Sequence, residues 1–293
     1  MNQLIHEEFV QKIDWQLAEQ GFPLSSRPLE VAIRWQEDNG MLVDLYHPIN
    51  SEIYDLVIEI YKKLYPNDHT SIGILSGGVV IQDRMYQVNL PIIYGQVPIN
   101  PISLINIPKE TLDFVFKNYP QQGWKAFYGV CDLIDLGYGI DDLKKMESPA
   151  SDFLLNLSSH INAIAQILLS QDNIESVIQN TCVVAELSMK AALLHLGYTQ
   201  EHLKSSFSHN LNKLSTELTK LRSERSDAIF IEECNKFPNY VNSRYEFPSL
   251  NRLELMSLAM RTQFVAAEAI RRITDRHMAW DLEMERTIPA RPF

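Results

Sequence analysis

Residues 182–197 read Cys-Val-Val-Ala-Glu-Leu-Ser-Met-Lys-Ala-Ala-Leu-Leu-His-Leu-Gly. The segment is almost wholly apolar, contains no proline and ends at Gly197, a residue type that commonly follows the last turn of a helix. These features predict a helix that is buried on several sides. Glu186 and Lys190 lie four positions apart, a spacing at which two side chains on one helix face can form an ion pair.

The helical pattern extends over the whole C-terminal half of the chain. Apolar residues recur there every three to four positions. We therefore expect an all-α antiparallel bundle whose helices span residues 151–170, 174–196, 210–235 and 251–277. Residues 278–293 follow the last of these helices, and their proline-rich end predicts an extended tail.

The residues before the bundle follow a different pattern, in which apolar positions alternate or come in short bursts. This pattern predicts an α+β domain that combines a small mixed sheet with helices. Helices are expected at residues 3–19, 52–65 and 112–119. Strands are expected at residues 31–36, 72–81, 85–94 and 126–136.

A domain boundary is predicted at Glu147-Ser-Pro-Ala-Ser151, where the apolar pattern changes. Ser148 followed by Pro149 is also a typical helix start, because the hydroxyl caps the helix and proline needs no amide partner in the first turn. The predicted domains are therefore residues 1–147 and residues 151–277.

The composition is typical of a globular protein with about two domains. The chain has 293 residues, of which 45% are apolar, and one domain takes about 100–200 residues. No apolar run approaches the roughly 20 residues that cross a bilayer, and the acidic N-terminus differs from a signal peptide. The widely spaced Cys131, Cys182 and Cys234 predict free buried thiols. We expect a cytoplasmic protein without a membrane partner.

The net charge of −11 is unevenly distributed. Residues 1–150 carry 11 Lys and Arg against 20 Asp and Glu, whereas residues 151–293 carry 15 against 17. An acidic chain repels the phosphate backbone of a nucleic acid at long range. This argues against a broad nucleic-acid-coating surface, and it leaves a local arginine patch in the C-terminal half as the expected place of contact.

The glycine pair Gly77-Gly78 raises the hypothesis of a nucleotidyltransferase, in which a glycine turn precedes two metal-binding carboxylates. That chemistry needs two carboxylates on one face of a strand, two residues apart. Asp83 stands alone after the glycines, and Asp132 and Asp135 are three residues apart, which on a predicted strand puts them on opposite faces. The sequence therefore favours a hairpin turn at Gly77-Gly78, with no metal and no cofactor.

Two short segments after the apolar helix complete the pattern of a known family. Residues 208–214 read Ser-His-Asn-Leu-Asn-Lys-Leu, and residues 242–246 read Asn-Ser-Arg-Tyr-Glu. Together with the Glu-x3-Lys-Ala of residues 186–191, they resemble HEPN domains, which are small helical bundles associated with nucleotides and RNA. The resemblance covers about residues 152–277, and no family is recognised in the N-terminal half.

The resemblance implies a ligand site at His209, Arg244 and Tyr245. An arginine and an aromatic ring in a constrained turn can hold a phosphate and stack a base. Ser208 is the predicted cap of the following helix, and Asn210 stands where most family members have aspartate. The alternatives are structural: His209 caps or packs, Arg244 binds carbonyls at a helix end, and Tyr245 fills the bundle.

A second segment matches the spacing that makes some HEPN proteins metal-independent ribonucleases. In Arg272-Ile-Thr-Asp-Arg-His277 four residues separate an arginine from a histidine, and Arg271 also lies within the family spacing of four to six residues before His277. In that chemistry the histidine moves the proton of the 2′-hydroxyl group, and the arginine stabilises charge on the phosphate. Ile273 stands where the family usually has a polar residue, and basic residues at a helix end also suit the helix dipole. Catalysis by Arg272 and His277 is therefore the alternative hypothesis.

The resemblance favours a non-catalytic protein associated with nucleotides or RNA, as in HEPN members of bacterial toxin–antitoxin and defence systems. It implies a homodimer that forms through the helical bundle. The N-terminal domain is expected to bind a ligand or a protein partner. Two alternatives remain: a metal-independent endoribonuclease and a protein-interaction scaffold.

Overall fold

The structure is a computed structural model that describes residues 5–43, 49–65, 75–93, 97–170, 174–238, 250–285 and 288–293. Within these ranges the chain forms twelve α-helices and one antiparallel sheet of two strands. The chain divides into two compact units, Met1–Gly73 and Ile74–Phe293. The protein is thus mostly helical, and its described sheet is a small antiparallel hairpin where a mixed sheet was predicted.

The first unit is built from helices α1 (Glu7–Glu19), α2 (Arg27–Asp38) and α3 (Ser51–Leu64). Their apolar faces share a small core that includes Leu17, Val31 and Val57. The Tyr61 hydroxyl donates a hydrogen bond of 2.7 Å to Asp14 within this core. The structure confirms the helices predicted near both ends of this unit.

The strand predicted at residues 31–36 is wrong, because these residues lie inside α2. Pro28 occupies the first turn of α2, where no backbone N–H is required. Val31, Ala32 and Trp35 then fall on one helical face and pack into the core. Over six residues, the apolar pattern of a strand and that of a helix are hard to tell apart. Pro28, which is typical of the first turn of a helix, was the more informative signal.

The described part of the second unit forms a hairpin and nine helices. The hairpin strands are β1 (Leu75–Ile81) and β2 (Arg84–Leu90). The helices in chain order are α4 (Lys109–Asn118), α5 (Pro120–Lys145), α6 (Ser151–Ser170), α7 (Val177–His195), α8 (Gln200–Ser206), α9 (Leu211–Leu221), α10 (Asp227–Asn235), α11 (Arg252–Arg271) and α12 (Met278–Glu285). The structure confirms the helix predicted at residues 112–119, which is α4.

The hairpin turn lies at Gln82-Asp83, since Ile81 pairs with Arg84 across the sheet. Gln82 adopts a positive φ of 57° there. The turn predicted at Gly77-Gly78 is wrong, because both glycines lie inside β1. A Cβ atom on Gly77 would come within 2.7 Å of the Leu133 side chain on α5. The absence of a side chain lets the strand pack closely on that helix.

Helix α5 lies at the centre of the second unit, and the strand predicted at residues 126–136 is wrong. Every residue from Ala126 to Ile140 is buried. The hairpin, α4, α11 and α12 pack around this helix. A helix that is buried on all sides has no apolar stripe, so its period of 3.6 is hidden in the sequence.

Two glycines of α5 set its closest contacts. A Cβ atom on Gly139 would lie 2.5 Å from Ile270 Cγ2 on α11. A Cβ atom on Gly137 would lie 2.6 Å from Leu90 Cδ1 on β2. Both distances are shorter than real Cβ contacts, so α11 and the hairpin approach α5 more closely than a larger residue would permit.

The compact units differ from the predicted domains 1–147 and 151–277. Near residues 147–151, α5 ends at Lys145 and α6 begins at Ser151, and one hydrophobic core runs from the hairpin to α11. Ser148 and Ala150 are buried. The Ser-Pro signal therefore marks a helix start inside one unit.

The C-terminal half is helical, as predicted, with shifted helix ends. Helices α6 and α7 match the first two predicted helices of the bundle. Residues 210–235 form two helices, α9 and α10, where one was predicted. Between them the Asp227 carboxylate accepts hydrogen bonds from Ser223 Oγ and the Glu224 N–H. These bonds stabilise a turn that ends one helix before the next begins. The predicted helix over residues 251–277 is α11, which ends at Arg271.

The prediction of an extended tail over residues 278–293 is wrong for its first 8 residues, which form α12. The Asp135 carboxylate caps this helix by accepting hydrogen bonds from the Met278 N–H at 2.8 Å and the Ala279 N–H at 3.1 Å. Trp280 is buried, and its Nε1 donates to Glu268 Oε1 at 2.8 Å. These contacts with α5 and α11 hold the residues in a helix, and they come from distant parts of the chain that the composition of the tail does not indicate.

Two stretches of the second unit, Ser151–Ser170 and Ile174–His195, are long and apolar enough to cross a membrane by length and composition alone. The core helices of soluble proteins pass the same test, and the second stretch is mostly buried within the bundle. The first stretch is buried over about a third of its most apolar window.

Candidate functional site

His209 lies in the short connection between α8 and α9. The chain turns there at Ser208, whose φ of 49° belongs to the left-handed region. Asn210 caps α9 in place of the predicted Ser208, since its side-chain oxygen accepts a hydrogen bond of 3.0 Å from the Lys213 N–H. The turn and the cap together bring the imidazole of His209 beside α7.

Glu186 on α7 holds His209 in place. One carboxylate oxygen lies 2.8 Å from His209 Nδ1, and the other accepts a hydrogen bond of 2.6 Å from Lys190 Nζ. The side chain of Glu186 is 11% exposed, whereas that of His209 is 44% exposed. Because a carboxylate only accepts, Nδ1 is the ring nitrogen that carries the proton. A nearly buried ion pair thus orients a solvent-facing imidazole.

A cavity of about 380 Å³ opens beside His209. Its wall combines acidic, thiol and amide groups, including Cys182, Glu186, Asn210, Asn212 and Asn235. Arg244 and Tyr245, the other two residues of the predicted ligand site, lie outside the described residues. Pro238, the last residue described before them, lines the same cavity. Of the predicted ligand site, the structure therefore describes His209 alone.

Arg272 and His277, the alternative catalytic pair, lie in different surroundings. The buried guanidinium of Arg272 contacts the Asp227 carboxylate at 2.8 Å and the Arg222 carbonyl at 2.5 Å. The His277 ring stacks on Trp280, with 5.0 Å between the ring centres. In the described part of the chain, Arg272 and His277 line two separate cavities. The structure therefore does not bring the two side chains together at one site.

A buried charge network surrounds Arg271, which the sequence offered only as a second arginine at the ribonuclease spacing before His277. The side chain is fully buried and contacts Asp132 at 2.6 Å, Asp135 at 2.7 Å and Glu268 at 2.9 Å. The predicted placement of the two aspartates on opposite faces is wrong, because residues three apart share one face of α5. One cation that contacts three buried carboxylates fixes α11 on α5. The sequence signal that could have indicated this network is the pair of aspartates, three positions apart, within an apolar segment.

Arg291 extends this network from the C-terminal segment. It binds Asp132 through two bonds of 2.6 and 2.9 Å, and its Nε donates to Glu283 at 2.9 Å. Its guanidinium also lies 4.9 Å from the ring centre of Tyr128 and 5.0 Å from that of Phe264. These contacts fix residues 288–293 against α5 and α11.

Acid is expected to destabilise the protein through Asp132. Burial alone would raise the pKa of Asp132, but the guanidinium groups of Arg291 and Arg271 outweigh burial and lower this pKa below its ordinary value of 3.8. The stability that the carboxylate contributes is therefore complete above that value and is lost as the pH falls towards the folded-state pKa. Urea unfolding midpoints at about pH 6 and about pH 3 measure the loss.

Asp132→Asn is the comparison for this measurement, because it removes the titrating group. The variant should start from lower stability at neutral pH and show a smaller further decline in acid. An equal decline in the variant and the wild type would show that other groups cause the acid sensitivity.

The described residues include histidines, cysteines and carboxylates, the side chains that commonly bind metal ions. No three His, Cys, Asp or Glu side chains among them lie where they could share a metal ion. Cys131, Cys182 and Cys234 are free and buried, as the sequence predicts. Burial raises the pKa of the Cys182 thiol to about 12 and that of Cys234 to about 12, so both are protonated at neutral pH.

Comparison of the chain with protein-family models, with curated proteins and with solved structures found no match. The resemblance to HEPN domains therefore rests on the sequence segments quoted above.

Proposed function

We propose that this protein is a non-catalytic, HEPN-like protein that binds a nucleotide or RNA in the cavity beside His209. The observation that supports it most is the contact of 2.8 Å between Glu186 and His209 at the wall of a cavity of about 380 Å³. Small-molecule sites occupy about 300–1,000 Å³. The carboxylate of Glu186 fixes the orientation of the imidazole, and selective recognition requires side chains that are held in place.

The other groups of the cavity suit the polar parts of a nucleotide. Asn210, Asn212 and Asn235 carry amides that donate and accept hydrogen bonds, as the edges of bases require. The cavity also contains the start of α9, whose first N–H groups attract anions. We propose that Arg244 holds a phosphate and Tyr245 stacks a base at the same site.

The surroundings of Arg272 support a non-catalytic role. In a ribonuclease of this type the arginine must reach a phosphate of the substrate. The Arg272 side chain is instead 0% exposed, and it is bound to Asp227 and the Arg222 carbonyl. This arrangement favours a structural role for Arg272.

We further propose a cytoplasmic homodimer in a bacterial toxin–antitoxin or defence system, with a ligand or protein partner on the first unit. The outer face of α6 supports the dimer, because it exposes Leu155, Asn156, Ser159 and Asn162. Asp152 is the one Asp, Glu, Lys or Arg residue in α6. Depletion of charge is typical of protein interfaces. A monomeric mass in light scattering would exclude this part of the proposal.

Ribonucleotides are expected to raise the thermal unfolding midpoint of the protein, and His209→Ala is expected to remove most of this effect. A ligand at 100 times its dissociation constant stabilises the folded state by about 2.7 kcal/mol. Loss of a hydrogen bond to a charged group weakens binding by about 1.5–3 kcal/mol, which is roughly tenfold or more. Thermal melts with each ribonucleoside monophosphate measure both effects.

His202→Ala is the matched control, because His202 is an exposed histidine of the neighbouring helix α8 that does not line the cavity. It should respond to nucleotide like the wild type. A wild-type midpoint that no nucleotide moves, or a His209→Ala variant that responds fully, would contradict the proposal. RNA incubated with the protein in EDTA should stay intact. Cleavage that is lost in His277→Ala would establish the endoribonuclease instead.

A further inference from the structure

A second cavity, of about 270 Å³, lies between α5, the end of α10 and α11. Its wall carries four basic residues from separate segments of the chain, Lys125, Lys236, Arg261 and Arg291. Its acidic lining residues are Asp132 and Glu233. The wall therefore has more basic than acidic groups, although the whole chain has a net charge of −11.

Glu233 neutralises the basic groups only in part. It is buried, and its carboxylate binds Arg261 Nε at 2.7 Å through one oxygen and Lys236 Nζ at 2.5 Å through the other. Burial would raise the pKa of Glu233, but hydrogen bonds from Lys236 and Arg261 lower this pKa below its ordinary value. Lys236 also contacts the exposed Glu232 at 2.7 Å. One buried negative charge thus lies between two cations of the wall.

Lys125 has no comparable partner. It is half-buried on α5, and its ammonium group makes no hydrogen bond or ion pair with any part of the chain that the structure describes. Burial lowers the pKa of Lys125, the charge of Arg261 lowers it further, and Glu233 opposes both effects. Lys125 therefore brings three unused hydrogen-bond donors to the cavity wall when it is protonated.

The remaining pair of charges cancels, and aromatic rings complete the wall. Arg291 and Asp132 form the bidentate pair described above, so they add no net charge. The excess positive charge comes from the cations around Glu233. Phe264 and Phe293 lie beside them with 5.3 Å between their ring centres. Cations next to aromatic rings suit an anionic group that is attached to a planar or apolar one.

We propose that Lys125, Lys236 and Arg261 form a binding site for a phosphate dianion, either free or in a phosphomonoester. Phosphate has several acceptor oxygens, so one group can accept hydrogen bonds from all three side chains. A phosphomonoester carries a charge of about −1.5 to −2 at neutral pH. The three cations exceed the carboxylates that bind them, Glu232 and Glu233, by one positive charge, so the wall attracts such a group. This site is separate from the cavity beside His209, and it does not depend on the function proposed there.

Calorimetric titration of the full chain with inorganic phosphate and with AMP, at constant ionic strength, tests the site. Lys125→Met keeps the apolar stem and removes the charge, and it should weaken phosphate binding by about tenfold or more. Lys117→Met is the matched control, because Lys117 is exposed on α4 and outside this cavity. Equal affinities for phosphate and AMP would identify the free anion as the ligand. Tighter binding of AMP that Lys125→Met weakens and His209→Ala leaves unchanged would identify the phosphomonoester.

A second measurement does not depend on how a variant folds. The pKa of the Lys125 ammonium group, followed by NMR, should rise when phosphate binds, because an added anion favours the charged form. His209→Ala should leave phosphate binding unchanged, which separates this site from the nucleotide proposal. The site is ruled out if inorganic phosphate does not bind, if Lys125→Met binds it like the wild type, or if saturating phosphate leaves the Lys125 pKa unchanged.

Discussion

Replacing Arg271 by methionine is expected to lower the free energy of unfolding by about 3–5 kcal/mol. The fully buried guanidinium contacts Asp132, Asp135 and Glu268 at distances between 2.6 and 2.9 Å. Methionine fills a similar volume but leaves these carboxylates without their shared cation. An uncompensated buried charge destabilises a protein far more than the loss of a favourable pair. Urea denaturation followed by circular dichroism measures the difference.

Arg276→Met is the matched control for this experiment. Arg276 binds Asp142 at 2.6 and 2.9 Å, but its side chain is 44% exposed. An exposed ion pair of this kind contributes about 0–1 kcal/mol. Adding Asp135→Asn to Arg271→Met should recover part of the loss, because among the described residues Asp135 forms its ion pair with Arg271 alone. Equal effects of Arg271→Met and Arg276→Met would mean that the buried network stabilises the fold little.

Gly139→Val is expected to lower the free energy of unfolding by about 1–3 kcal/mol, the usual range for overfilling a packed core. At an exposed helix position the replacement of glycine is commonly stabilising, because glycine is a poor helix former. Here the new Cβ would lie 2.5 Å from Ile270 Cγ2 and 3.3 Å from Thr274 Oγ1. Isoleucine is stiff at χ1, so α5 and α11 must separate. Chemical denaturation measures the change.

Ile270→Ala supplies the internal control for the glycine experiment. Alone, it should destabilise the protein by about 2–5 kcal/mol, because it leaves a cavity in the core. Combined with Gly139→Val, it should destabilise less than the sum of the two single changes, since the valine occupies the space that Ile270 vacates. Strictly additive effects would show that the two side chains do not meet.

Helices with one apolar face could be predicted from the sequence. The apolar stripes of α1 and α3 face a small shared core. Helix α6 packs one face on the rest of the second unit. Each of these helices therefore keeps a clear apolar period of 3.6 residues. The residues that follow Ser148-Pro149 also begin a helix, as predicted. Each of these features depends on residues that are close in the sequence, so it can be predicted from the sequence alone.

The central helix could not be predicted in the same way. All residues of α5 from Ala126 to Ile140 are buried, and its glycines lower its helix propensity. Its apolar pattern is therefore continuous and carries no period. The partner of its two aspartates, Arg271, follows Asp135 by 136 residues and Asp132 by 139 residues. No local pattern indicates a contact over such a separation.

The candidate site was predicted in part. His209 could be singled out because it precedes a helix in a recognisable segment. Its contact with Glu186 joins residues that are 23 positions apart on different elements, so it depends on how the bundle packs. The cavity lined by Lys125, Lys236 and Arg261 could not be predicted, because these residues come from three separate segments of the chain. Tertiary packing alone places these side chains around one space.

The carboxylates of Asp132 and Asp135 emerge from the ribosome long before their counter-ions. Arg271 follows Asp132 by 139 residues, and Arg291 follows it by 159 residues. If α5 became buried before Arg271 and Arg291 were made, both carboxylates would lie in an apolar interior without a cation. Translation proceeds at about 5–20 residues per second, so the interval is on the order of ten seconds. The second unit therefore completes its folding late in synthesis, and a chaperone that shields apolar surface has that interval in which to act.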